Sequence, residues 1–118
     1  MKKFAVILLT GLLSSTFAIA ANNHHHHNHN QPNTEFGQAY LSSMTEMHHD
    51  MEQAAFAQNP DISFAQGMIA HHQGAIEMAK IQLKYGKDPE MRKLAEQIIQ
   101  AQEPEIKQME DWLKQQAK

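Results

Sequence analysis

The sequence predicts an all-α fold: an up-down bundle of three long helices, or four if the last splits at Pro104. Three observations predict it. Apolar residues recur at helical spacing from Phe36 to Leu113. No stretch shows the alternation of a half-buried strand. Capping and breaking residues stand between the periodic segments, at Thr34, Asn59-Pro60, Gly86 and Asp88-Pro89.

The first helix is expected from about Thr34 to Gln58, with Thr34 as N-cap and Asn59-Pro60 as the stop. Its stripe is Phe36, Tyr40, Met44, Met47, Met51 and Ala55. The second is expected from Asp61 to Tyr85, capped by Asp61 and closed by Gly86. The third begins with Asp88 as cap and Pro89 in its first turn, and reaches about Gln116. Its stripe runs Met91, Leu94, Ala95, Ile98, Ala101, Ile106, Met109, Trp112 and Leu113. Pro104 lacks an amide proton and should kink or split it, but the stripe keeps phase, so both halves face one core.

The segments before these helices read differently. Residues 1–20 have the form of a signal peptide: Lys2 and Lys3, an apolar run from Phe4 to Leu13, and Ala18-Ile19-Ala20 as a cleavage pattern. The run is too short for a stable transmembrane span, which sets aside an uncleaved anchor. Export to the periplasm is the expectation. Residues 21–33 are polar and low in complexity, with histidines at His24, His25, His26, His27 and His29. Such a tail is expected to be disordered, and Asn28 and its place behind a signal sequence argue against an expression tag. The helical bundle then occupies 34–118.

Charge excludes one class of partner. Without Lys2 and Lys3, eight of the ten basic residues remain against thirteen acidic ones, a balance of −5 with neutral histidines. Phosphate recognition needs a basic face, so nucleic acid is not expected as a partner. There is no cysteine, so no disulfide supports the fold. In an oxidising compartment a soft-metal site is better built from thioethers, which do not form disulfides.

Two clusters carry chemistry. One is Met44-Thr45-Glu46-Met47-His48-His49-Asp50-Met51; the other is Met68-Ile69-Ala70-His71-His72, with Met78 beyond it. On a helical wheel Met44, Met47, His48 and Met51 share a face, and His49 points elsewhere. Met68, His71 and Met78 line one edge of the second helix's apolar arc, with His72 nearer its middle. Gly67 and Gly74 flank that edge, which suggests close approach of a neighbouring helix. A hairpin folded about Asn59-Pro60 puts residues whose numbers add to about 120 opposite each other. Met51 then faces Met68, His48 faces His71 and His72, and Met44 faces Met78. Donors three or four residues apart stand about 5–6 Å apart at Cβ, so Met51, Met68, His48 and one of His71 and His72 can meet one ion. Met78 lies about 10.5 Å along the axis from His71, so Met78 and Met44 are expected to serve a second ion or extend the site.

Thioethers select Cu(I) and, by analogy, Ag(I), and imidazole serves both oxidation states of copper. Single methionines at such spacing are ordinarily gap-filling core. Beyond residue 20, however, seven methionines outnumber four leucines, an inversion of normal usage. Glu46-x-x-His49 has the spacing of a di-iron carboxylate site, but no second such pair appears. Gln102 and Glu105 fall on the apolar stripe of the third helix and need partners; a histidine N–H would make them supports of a metal ligand, and a kink-exposed pair is the alternative. The tail offers a separate site. If cleavage follows Ala21, a free amine, two backbone amides and the third-position His24 form a square-planar set for Cu(II) or Ni(II); cleavage after Ala20 leaves His24 to His29 as loose ligands for divalent ions.

The run Phe64-Ala65-Gln66-Gly67-Met68-Ile69-Ala70-His71-His72-Gln73-Gly74-Ala75-Ile76-Glu77-Met78-Ala79 resembles the signature of the bacterial domain-of-unknown-function family 305. So does the later run Leu94-Ala95, Ile98-Ile99, Ala101-Gln102, Glu105-Ile106, Met109 and Trp112-Leu113. The resemblance covers residues 36–114 and implies a ferritin-like helical bundle. Met68, His71, His72 and Met78 match the motif position by position. The Met44–Met51 cluster is similar to copper-binding members associated with resistance rather than to the family at large. Pro104 and the histidine tail depart from the pattern. The expected function is therefore non-catalytic binding of Cu(I), with Cu(II) or Ag(I) as further ions, for sequestration or hand-over to a receiving protein. No membrane contact is expected after signal cleavage. A Zn(II)- or Ni(II)-binding protein driven by the tail is the alternative, and a helical interaction module with incidental metal binding is a third.

Overall fold

The computed structural model describes residues 31–117. The signal-peptide reading and the tail histidines His24 to His29 lie outside these residues. Within them the chain forms α1 (Glu35–Ala54), α2 (Pro60–Tyr85) and α3 (Pro89–Gln116). The all-α, up-down architecture is as expected, with three helices rather than four. No helix among the described residues is long and apolar enough to cross a membrane.

Local chemistry sets each boundary. Thr34 is extended, and its hydroxyl accepts the Gly37 amide at 3.2 Å. α1 stops at Ala54, short of the expected Gln58. The amides of Ala55, Phe56 and Ala57 turn to carbonyls three residues back, at 3.1 to 3.2 Å, which tightens and ends the last turn. The cap of α2 is Asn59, not Asp61. Pro60 sits at the first helical position, where no amide is needed, and Asn59 Oδ1 accepts from Asp61 N at 2.8 Å and Ile62 N at 3.3 Å. Asp88 caps α3 by accepting the Met91 amide at 2.9 Å.

The short α2–α3 connection is held by Arg92. Its Nη1 donates to the carbonyls of Leu83 at 2.6 Å and Gly86 at 2.9 Å, orphan acceptors at the negative end of the α2 dipole. Pro104 does not split α3, which is helical from Pro89 to Gln116. The proline withdraws only the hydrogen bond to the Gln100 carbonyl, and Gln100 is exposed, so water can replace the lost donor.

α2 is the middle helix. α1 and α3 both pack on it, and among the described residues α1 and α3 make no Cα approach within 8 Å of each other. The two interfaces use different faces of α2. Towards α1 it presents Gly67 and Gly74, against Ala54 and Met47. Towards α3 it presents Ala65, His72, Ile76 and Ala79, all buried. These two sets lie more than a quarter-turn apart on a helical wheel. The fold is thus an open three-helix layer, not a closed triangle. A cleft on one side of it is walled by Phe36 and Tyr40 of α1, floored by Ala75, Met78 and Gln82 of α2, and walled again by Leu94 and Ile98 of α3.

Candidate metal centre

The α1–α2 register can be read from its contacts. A Cβ on Gly74 would stand 2.8 Å from Met47 Cγ and 3.0 Å from Met47 Cβ, and one on Gly67 would stand 3.7 Å from the Ala54 Cβ. Facing residue numbers add to 121 in both contacts, one more than a hairpin about Asn59-Pro60 predicts. Gly74 is the close approach expected from the paired glycines; Gly67 is not, since its contact is ordinary van der Waals distance.

Met47 lies at the centre of the interhelical seam, against Gly74. With Met47 marking the face turned to α2, Met44, His48 and Met51 fall on the same flank of α1 as Tyr40, a cleft-wall residue. On α2, Phe64, Met68, His71 and Met78 fall on the flank that holds the cleft-floor residues Ala75 and Gln82. The two Met–His–Met rows therefore border one side of the layer. Met44, Met68 and Met78 are half-buried; Met51, His48 and His71 are exposed. His49 falls away from this flank, on a shallow surface with Gln38 and Glu46.

The structure separates the adjacent histidines. The hairpin register alone sets His48 opposite both His71 and His72, but His72 turns to α3. Neighbouring residues on a helix point about 100° apart, so both cannot face α1. The rings are 6.3 Å apart and inclined at 65°. His72 is 9% exposed, and its Nε2 lies 2.6 Å from Glu105 Oε2. Gln102, one turn before Glu105, places its Oε1 in the same buried seam without a hydrogen-bond partner. His72 Nδ1 is also buried and unpartnered.

These contacts have a chemical consequence. An ionised carboxylate only accepts hydrogen bonds, so Glu105 draws the ring proton to Nε2 and leaves a lone pair on Nδ1. A carboxylate on the distal nitrogen is the usual support of a metal-ligating imidazole: it sets tautomer and orientation and raises basicity. Met68 lies one turn before His72 on the same helix, so the two side chains are neighbours on its surface. Among the described residues no three histidine, aspartate or glutamate side chains converge on one point. Sequence patterning does not single out Arg92 or the cleft walls Phe36 and Tyr40 as site-forming residues. Arg92 leaves no periodic signal, and the tyrosine and phenylalanine read simply as stripe.

The fold and this seam together define a small, all-helical, up-down domain with a carboxylate-anchored histidine in the middle helix. Residues 61–118 match the family described as "Domain of unknown function (DUF305)". The match spans α2 from Asp61 and all of α3, and it includes Met68, His71, His72, Met78, Gln102 and Glu105. α1, with its Met44–Met51 cluster, precedes the matched region. No curated protein matches the chain.

Proposed function

We propose that this protein binds Cu(I), or Ag(I) in its place, with methionine and histidine donors on the open side of the helical layer. It holds the ion for sequestration or hand-over rather than for turnover. The observation that carries the reading is His72: buried, oriented through Nε2 by Glu105, with Nδ1 lacking a partner. Leaving a buried polar atom unpaired is costly, and an ion on that lone pair would remove the cost. Thioether and imidazole are neutral, so a monovalent ion here would keep its charge, and the nearby Glu105 carboxylate offsets it.

Met68, His71 and His72 are the first donors in this scheme, with Met44, His48, Met51 and Met78 along the same side and Gln102 beside the anchoring carboxylate. Met47 fills the seam and His49 contributes least. The α1 cluster resembles that of the periplasmic copper-binding protein CopM, which supports the same assignment. The compartment proposed is the periplasm, reached by cleavage of residues 1–20, with His24 to His29 collecting Cu(II).

The test is a Cu(I) titration against a competing chelator, followed by X-ray absorption to separate sulfur from nitrogen shells. In protein lacking residues 22–31, the triple variant His48→Ala, His71→Ala, His72→Ala should lose Cu(I) affinity at least tenfold while keeping its helical spectrum. Unchanged affinity in that variant overturns the assignment.

A further inference from the structure

We propose that two copies of this chain pack through the open side of the layer, forming a two-layer, six-helix dimer whose core is that face. A single chain buries almost no large apolar side chain. Among the described residues the buried apolar ones are Ala54, Ala65, Ala70, Ile76, Ala79 and Ala95, and no large side chain falls below 2% exposure. Domains of this size are marginal even with a filled core, and five alanines and one isoleucine do not fill one.

Large apolar side chains gather on the open side of the layer instead. Phe36, Tyr40, Met51, Phe64, Met91 and Leu94 are 36 to 66% exposed. Phe36, Tyr40, Met91 and Leu94 border the open cleft directly. Met51 and Phe64 occupy the same flanks by helical phase. The opposite side of the α1–α2 pair is mixed instead: Ser42, Ser43, Glu46, Asp50, Gln73 and Glu77 stand among Ala39, Met47, Ala70 and Ile81. The cleft side is thus the more apolar of the two, and it carries no charged side chain in its lining.

The face is also large enough for a stable interface. A helix of 26 residues is about 39 Å long, at about 1.5 Å per residue. Three helices at about 8–10 Å spacing make a face about 25 Å wide. The face offers on the order of 1,000 Å², against about 800 Å² per partner in a standard stable interface.

A second copy is the occupant that this face fits. It is rich in methionine and aromatic side chains, as the centres of homodimer interfaces are. The exposed Glu105 carboxylate is already engaged by His72 within the chain, and the cleft lining carries no charged side chain, so the face offers little electrostatic grip to a charged partner. Two identical flat layers close on each other with two-fold symmetry and leave no third copy to add. Because α2 is the middle helix, the two α2 helices cross near the centre. Met68 and His71 then approach their counterparts, so the dimer deepens the copper reading while resting on the apolar face alone.

The experiment is light scattering and concentration-dependent thermal unfolding of the exported protein, with a copper chelator present and with Cu(I) added. The expected mass is that of two chains in chelator, with a melting temperature that rises with concentration. Leu94→Glu should shift the mass to one chain, whereas Gln73→Glu, on the opposite side, should leave two. Leu94 is 46% exposed in the single chain, so a lone chain would accept glutamate there without loss of helicity. A wild-type mass of one chain at about 100 µM, well above the dissociation constants of standard-size interfaces, overturns the proposal. So does a Leu94→Glu dimer of undiminished strength. A dimer that forms only with Cu(I) overturns the apolar face and leaves copper binding standing. A dimer in chelator from a protein that binds no Cu(I) does the reverse.

Discussion

Adding one methyl group to each of two glycines on α2 should move stability in opposite directions. In a helix interior, alanine is favoured over glycine by about 0.8–1.0 kcal/mol. At Gly67 the new methyl meets the Ala54 Cβ at 3.7 Å, an ordinary contact, so Gly67→Ala should realise most of that gain. At Gly74 it would stand 2.8 Å from Met47 Cγ and 3.0 Å from Met47 Cβ. Met47 Cβ is fixed to the α1 backbone, so a rotamer change cannot clear the whole clash, and the helices must separate. Overpacking of this kind costs about 1–3 kcal/mol, so after the propensity gain Gly74→Ala should be destabilised by up to about 2 kcal/mol. Urea unfolding followed by circular dichroism, at one fixed protein concentration, measures both. Adding Met47→Ala removes the obstructing side chain beyond Cβ and should recover part of the Gly74→Ala loss. If Gly74→Ala is as stabilising as Gly67→Ala, the seam is not closed at Met47 and α1 does not meet α2 in the register that pairs those two residues.

Three further outcomes follow from side-chain contacts. Glu105→Gln keeps the shape at His72 but removes the anion that orients its ring, and should weaken Cu(I) binding by about 10–100-fold without altering helicity; chelator competition beside circular dichroism checks both. Arg92→Ala deprives two carbonyls at the end of α2 of a charged donor and should destabilise the fold by about 2 kcal/mol in urea titration; an unchanged midpoint refutes the contact. Lys107 hydrogen-bonds the Asp111 carboxylate and holds its pKa below the usual value, with Lys114 adding to the effect. The stabilisation is therefore present above the ordinary carboxylate range and lost as pH falls through the lowered value. An NMR titration should find Asp111 below that range, and Lys107→Ala should return it upward; an Asp111 that does not move refutes the pairing.

Helix number, order and most ends are legible in the sequence because they rest on local chemistry. Thr34, Asp88 and Pro89 act on the turn they begin, and no distant residue alters that. At Asn59-Pro60 the boundary differs from the expectation, and at Pro104 the choice left open closes, for equally local reasons. Asn59-Pro60 reads as a stop, but an asparagine before a first-position proline is also a start, and the preceding amides have to tighten to let Asn59 extend. Pro104 reads as a break, but an exposed Gln100 carbonyl tolerates the loss of its donor.

The site divides along the same line. Helical spacing by itself puts Met44, His48 and Met51 on one flank and Met68, His71 and Met78 on another. A tight hairpin by itself brings those flanks level, because so short a connection leaves the helices little freedom to slide. What the spacing could not decide is which neighbour His72 meets. That depends on how far apart α1 and α3 sit around α2, and the separation is set by packing: Met47 against the bare backbone at Gly74 on one side, Ala65, Ile76 and Ala79 on the other. Only the tertiary structure gives His72 to Glu105 across 33 residues of sequence. Only the tertiary structure leaves α1 and α3 apart, with an apolar side uncovered, because amphipathic periodicity specifies that a face is to be buried and not what will bury it.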